Sequence, residues 1–316
     1  MSSLDTIARL PRSAAAEAVA IELTAVIVAV TDEEPRVLAV EGGAALPSGP
    51  FESHHRTLQM GVRSRVEQQT RHPLGYVEQL YTFADRDRTR DGRAVSISYL
   101  GLTRETAAAL PENASWQSWY RYFPWEDWRA GPPAAVAKAI APRLRAWAQA
   151  ADGARRRERK QRIAVNFPAS DRDWNEEFVL QRYELLYEAG LVPEAGRDRP
   201  VADPLPGTPM KHDHRSILAT AIARLRAKIK YRPVVFELMP ERFTLFELQR
   251  AVEALAGRRL HKPNFRRLIA VQGLVEETPG VSKKTGGRPA KLVRFRRAVL
   301  IERRYTGTKL PLHRSG

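Results

Sequence analysis

Asn264, Arg266 and Arg267 follow Pro263 in HKPNFRRLIAVQG, a segment whose apolar residues recur at helical spacing. On the outward face of a helix, arginine donates two hydrogen bonds to guanine and asparagine pairs with adenine, so this trio reads as base-edge chemistry. Arg258 and Lys262, just upstream, suit phosphates, contacts that position a protein without specifying sequence. Lys283, Lys284 and Arg288 surround Gly286 and Gly287, a basic tip suited to a duplex backbone or minor groove. His212 and His214 stand two apart with no second pair nearby, which favours a helix-start or packing role over metal ligation.

Particular elements must hold these side chains. Thr244 and Glu247 form a Thr-x-x-Glu capping box, and Phe243 with Leu248 makes a hydrophobic staple. The helix they open carries Leu245, Leu248, Val252 and Leu255 as its buried stripe. Thr244, at that helix start, is also counted among the residues expected to meet DNA. GRRLHK supplies a turn, and Pro263 suits the first turn of the next helix. There Phe265, Leu268 and Ile269 anchor the core, leaving Asn264, Arg266, Arg267 and Ala270 outward. LVEET and KLVRF then read as the two strands of a wing. Helix, turn, helix and hairpin make a winged helix-turn-helix, and such readers work as dimers on paired half-sites. The preceding segment, HDHRSILATAIARLRAKIKY, places Leu218, Ile222, Leu225 and Ile229 on one helical stripe, with its cations expected mainly on the other face.

The totals agree with a nucleic-acid partner. The chain has 316 residues, 43% hydrophobic and 28% charged, enough for two domains. Net charge is +16, and Arg258 to Arg304 holds fourteen lysines and arginines against three glutamates. There are no cysteines, which excludes disulfides, thiolate zinc sites and iron–sulfur clusters. The N-terminus lacks a signal pattern, and the apolar run from Ala18 is too short to span a bilayer, so the expected location is cytoplasmic.

Upstream, the pattern changes. VAIELTAVIVAV (19–30), RVLAV (36–40), YVEQLYTF (76–83) and AVSISYLGL (94–102) read as strands. Between them, Leu58, Val62 and Val66 mark a helix over 56–70. A mixed sheet ending near residue 104 is expected. Residues 105–205 read as an insertion with helices over PPAAVAKAIAPRLRAWAQAA and DRDWNEEFVLQRYELLYEAG and a basic run, RRRERKQR (155–162). WQSWYRYFPWEDW holds four of the six tryptophans, read as a buried brace or a dimer contact rather than a base-stacking surface. Residues 197–209, rich in proline, read as a linker, dividing the chain into 1–205 and 206–316.

FTLFELQRAVEALAGRRLHKPNFRR, with RLRAKIKYRP before it and GGRPAKLVRF after, resembles the C-terminal half of Nudix-related transcriptional regulators of NAD metabolism. ALPSGPF, YVEQLYTFADRDR and RAVSISYLGL resemble their Nudix-like half, and the long insertion is most similar to the variant that represses NAD-synthesis genes. The resemblance implies an α+β fold: an N-terminal Nudix-like mixed sheet and helix with a helical insertion, then a winged helix. It further implies a homodimeric repressor on a palindromic operator in double-stranded DNA. Its effector would be an adenine nucleotide (NAD, ADP-ribose or ATP), with no resident cofactor.

The same family contains hydrolases, whose box requires glutamates around Mg²⁺. With the box aligned on Thr70 its core is SRVEQQ, and Arg65, Gln68 and Gln69 replace the glutamates. Aligned instead on Gly49 it is RSRVEQ, and only Glu67 survives. Neutral amides cannot replace ionised ligands for a hard cation, so no metal-dependent hydrolysis is expected. Arginine could then offset a bound diphosphate. The candidates are Arg65, Arg86, Arg88 and Arg93, with Tyr81 and Tyr99 packing on a base or ribose. Two alternatives stand beside this reading: a Nudix hydrolase with a basic accessory domain, and a non-specific nucleic-acid-binding protein.

Overall fold

The computed structural model describes residues 19–84, 94–105, 110–196, 200–282 and 289–299. The apolar run from Ala18 becomes β1 (Ala20–Thr31), which returns through Asp32 and Glu33, both at positive φ, into β2 (Glu34–Val40). Next come β3 (Ser48–Pro50), α1 (Leu58–Thr70), β4 (Tyr76–Phe83), β5 (Ala94–Leu102) and β6 (Ala114–Ser118). They form one sheet in the order β4-β5-β1-β2-β6, with β3 pairing to the start of β1. β1 and β5 are parallel and the other pairs antiparallel. The central strand buries both faces, which is why its sequence is apolar with little alternation.

The sheet extends beyond its expected end. Ala114–Ser118, read as the start of the insertion, is an edge strand that sets Trp116 opposite Leu38. One face of the sheet packs Leu23, Ile27, Leu38 and Tyr99 against Val62 and Val66 of α1. The other packs Val26, Val28, Leu100 and Leu102 into a larger core that continues into the rest of the chain.

That larger core contains the insertion. After β6 come two short 3-10 turns, then a π-helical turn at Val136–Ile140 leading into α2 (Ala141–Gln149). Pro142, in the first turn of α2, accounts for the break. Then follow α3 (Gly153–Asn166), α4 (Val179–Glu188) and α5 (His214–Lys228). The described part of the expected linker is not a free tether. Leu205 is buried and its N–H donates to the Leu191 carbonyl at 2.8 Å, while the Thr208 N–H donates to the Arg121 carbonyl at 2.9 Å. α5 packs on β1 and β4 and also on α4 and α6, so no gap separates an N-terminal from a C-terminal core.

The C-terminal elements are α6 (Leu245–Ala256), α7 (Lys262–Gln272), β7 (Val275–Ser282) and β8 (Ala290–Phe295). β7 and β8 pair antiparallel with a bulge between Glu277 and Val281, and Phe243 pairs with Val293. The fold is α+β, a Nudix-like domain joined to a winged helix. Among the described residues no helix is long and apolar enough to cross a membrane.

Candidate nucleic-acid interface and effector domain

α6 begins as its sequence dictates. The Thr244 hydroxyl accepts from the Glu247 N–H at 3.1 Å, and the Glu247 carboxylate accepts from the Thr244 N–H at 2.7 Å. α6 ends at Gly257 (φ 71), where a Cβ would overlap the Glu126 carbonyl oxygen and crowd the Arg226 guanidinium and the Tyr120 hydroxyl. The turn to α7 is organised by Glu253, a buried carboxylate that sequence reading missed. It accepts from the Leu260 N–H, the Gln249 amide, Arg250 and Arg259, each at 2.9 Å. Burial works against this carboxylate, but those four donors hold its pKa below the usual range.

α7 then presents two different faces. Phe265 and Ile269 are buried, contributing roughly 1.5–3 kcal/mol each on burial and fixing the helix's rotation. Lys262, Pro263, Arg266, Arg267, Ala270 and Val271 are exposed on the other side, Val271 at 77%. Guanidinium forks beside small apolar groups can meet guanine edges and thymine methyls.

Three expected contacts are not exposed on this face. Thr244 is buried and its hydroxyl serves the capping box. Asn264 is half-buried on the flank of α7, ~60° round the helix from Arg267 at ~100° per residue. Arg258 donates to the Asp171 carbonyl at 2.7 Å and lies near the Trp128 ring, so it braces the insertion. Lys283, Lys284 and Arg288 lie outside the described residues.

The insertion locks onto α5 and α6 through ions that the sequence did not advertise. Arg182, Arg215 and Arg226 are each 0% exposed, and Glu126 is 1% exposed. Arg182 grips Glu126 with two bonds of 2.6 and 2.8 Å, and Arg226 adds a third of 2.7 Å. Arg226 also donates to the carbonyls of Leu255 in α6 (2.8 Å) and Glu176 (3.0 Å). Arg215 pairs with Glu194, donates to the Tyr122 carbonyl and lies among the rings of Phe123, Trp125 and Tyr183. The expectation that α5 turns its cations to the outer face therefore fails for Arg215 and Arg226, because the insertion covers that face. Three of the four tryptophans form an interior brace: Trp119, Trp125 and Trp128 are buried, Trp116 is half-buried, and the Trp128 and Trp174 rings lie 4.3 Å apart, tilted at 36°. His214 packs as expected, its Nδ1 accepting from the Leu46 N–H at 3.0 Å.

In the Nudix-like domain, α1 ends at Arg71 in the left-handed conformation (φ 52). Arg65 pairs with Glu52 at 2.6 Å and lies across Gly49. The Gln69 amide donates to the Ser48 carbonyl (2.8 Å) and accepts from the Ser48 N–H (3.1 Å), a clip that a carboxylate cannot complete. Gln68 and Glu67 are exposed. Tyr81 and Tyr99 are not brought together. Tyr81 pairs with Ser98, hence lies on the face opposite Tyr99, and is 58% exposed. Tyr99 is 5% exposed and packs under α1. Arg86, Arg88 and Arg93 lie outside the described residues.

Comparison with known proteins agrees with this architecture. Residues 235–295 match the family model described as the NrtR DNA-binding winged helix domain. A curated relative, the ADPR responsive transcriptional repressor NtrR of Acinetobacter baylyi, is 47% identical over 83 residues, 26% of this chain; the match spans only 33% of that relative's length. NrtR of Shewanella oneidensis, solved in complex with a 27mer DNA, aligns over 93% of this chain and 99% of its own, with 19% identity and a TM-score of 0.55. A MutT/nudix family protein from Enterococcus faecalis aligns over 91% of this chain and 89% of its own, with 16% identity and a TM-score of 0.54. The fold is thus NrtR-like from the Nudix-like sheet to the wing.

Proposed function

We propose that this NrtR-like chain is a DNA-binding transcriptional repressor of NAD-biosynthesis genes, governed by an adenine nucleotide bound in its Nudix-like domain. The observation that carries the reading is the exposed face of α7, with Arg266 and Arg267 beside Ala270 and Val271 on a helix fixed by Phe265 and Ile269. The name of the curated relative makes ADP-ribose the first effector to test, ahead of NAD and ATP. An effector acts only through unequal affinity for the DNA-competent and incompetent states. Two copies on a palindromic operator would pair two such helices.

We infer further that the domain senses its nucleotide without hydrolysing it. Support comes from Arg71: with the box aligned on Thr70, the box glycine falls on this left-handed cap, and Arg65, Gln68 and Gln69 take the glutamate positions. Two experiments test these readings. A palindromic operator should outcompete random duplex at matched salt, and equal affinity would sink the repressor. ADP-ribose should raise the Tm with no turnover in Mg²⁺, whereas turnover abolished by Glu67→Gln would establish the hydrolase instead.

A further inference from the structure

A pocket of about 180 Å³ opens where the end of β4 meets α4 and the start of α5. Its walls are aromatic: Phe83 from β4, with Tyr183 and Tyr187, four apart on α4, their ring centroids separated by 6.5 Å. Three carboxylates line it as well: Glu184 of α4, Glu194 of the turn that follows, and Asp213 just before α5. Among the described residues the only basic side chain lining it is His212. The two arginines nearby are already engaged, Arg215 with Glu194 and Arg162 with Glu188. Phe83 packs against the larger core, whereas α1 lies on the other face of the sheet, so the pocket is separate from the box helix.

Tyr183 marks this pocket as a place for a ligand. Its side chain is 4% exposed, yet its hydroxyl makes no hydrogen bond among the described residues. The ring itself is fixed, edge-on to Phe123 and beside the Arg215 guanidinium. Burial, with the Glu194 charge beside it, pushes this phenol far above its ordinary range, so the hydroxyl keeps its proton. A buried hydroxyl without a partner is costly, and the pocket it lines is where a partner fits.

Size and charge define that partner. A cavity of ~150 Å³ holds a benzene ring, so this one admits a single substituted ring and not a whole nucleotide. Aromatic faces attract cations, and the carboxylates add to that attraction. We propose that the pocket is a binding site for a small, flat organic cation, held among the three rings and Glu184 with a polar substituent on the Tyr183 hydroxyl. Such a site stands apart from the proposed nucleotide effector and does not depend on it.

The test is a calorimetric titration of the full chain with three rings of nearly equal size: benzamidine, a cation at neutral pH, benzamide, which is uncharged, and benzoate, an anion. Benzamidine should bind about tenfold more tightly than benzamide, and benzoate should bind weakest. Tyr183→Phe should weaken benzamidine and benzamide alike by about three- to tenfold, with Tm unchanged or raised, because the hydroxyl has no partner in the fold to lose. Glu184→Gln should weaken benzamidine by about two- to fivefold and leave benzamide as it was. Absence of benzamidine binding at millimolar concentration overturns the site. Equal affinity for the three rings, or tighter binding of benzoate, also overturns it, since the selection for positive charge is then missing. A lowered Tm in Tyr183→Phe with wild-type affinity would make the tyrosine a packing residue and overturn the assignment. Because no probe carries adenine or phosphate, failure of the nucleotide effector leaves these outcomes unchanged.

Discussion

Arg266 and Arg258 are both arginines of the reader, yet they do different work. Arg266 is exposed on α7, whereas Arg258 reaches the Asp171 carbonyl. Arg266→Ala should therefore lose about 1–3 kcal/mol of discrimination between operator and random duplex with its Tm unchanged. Arg258→Ala should lower Tm and leave the preference intact, and indistinguishable profiles for the two in competition binding and thermal unfolding would reject this division. Glu253 gives a pH dependence. Its folded pKa is held below its ordinary value of 4.5, so its stabilisation is whole above that pH and is lost as pH falls below it. Glu253→Gln should flatten the fall of Tm between about pH 5 and pH 3, and an unchanged slope would assign acid unfolding to other groups. Neither role could be read from residue type. Arg258 precedes a helix as a phosphate-binding arginine would, and Glu253 sits in a helix like any solvated glutamate. What distinguishes them is the chain that folds back over them.

At the scale of elements, legibility followed periodicity. α6, α7 and the wing strands were readable because a capping box, a proline in the first turn and a 3.6-residue stripe are local signals. β1, β2, β4 and β5 were readable for the same reason, whereas β3, three residues long, was not. β6 was not, because five residues beginning a tryptophan-rich run show pairing only through their partner, β2. The outer face of α5 misled similarly: two arginines on the polar side of a stripe look solvated, and it takes Glu126 and Glu194, distant in sequence, to bury them. The Glu126 cluster joins the insertion, α4, α5 and α6, and removing this carboxylate takes the hydrogen-bonded anion from two buried cations. Glu126→Ala should cost about 3–5 kcal/mol in urea unfolding. A loss below about 1 kcal/mol would mean that the carbonyl acceptors alone satisfy Arg182 and Arg226.

At the scale of the molecule, one apolar cluster runs from Val26 in the sheet through the tryptophans to Phe265 and Val299. A prolinyl linker between two independent cores predicts two unfolding transitions; this continuous core predicts one. Calorimetry with coincident near- and far-UV melting should give a single cooperative transition, and two resolved steps would restore the linker picture. The effector candidates remain the least legible feature of the sequence, since an arginine's value for a diphosphate depends on what faces it across the fold. Arg65, for instance, faces Glu52. Gly257 carries a consequence of another kind. Its backbone is wedged between Glu126, Arg226 and Tyr120, so the winged helix cannot be exchanged for a relative's as a cassette without rebuilding the seat beneath it. A chimera carrying a relative's winged helix on this insertion should therefore lose Tm unless the residues facing Gly257 are exchanged with it, and an unchanged Tm would reject the seat.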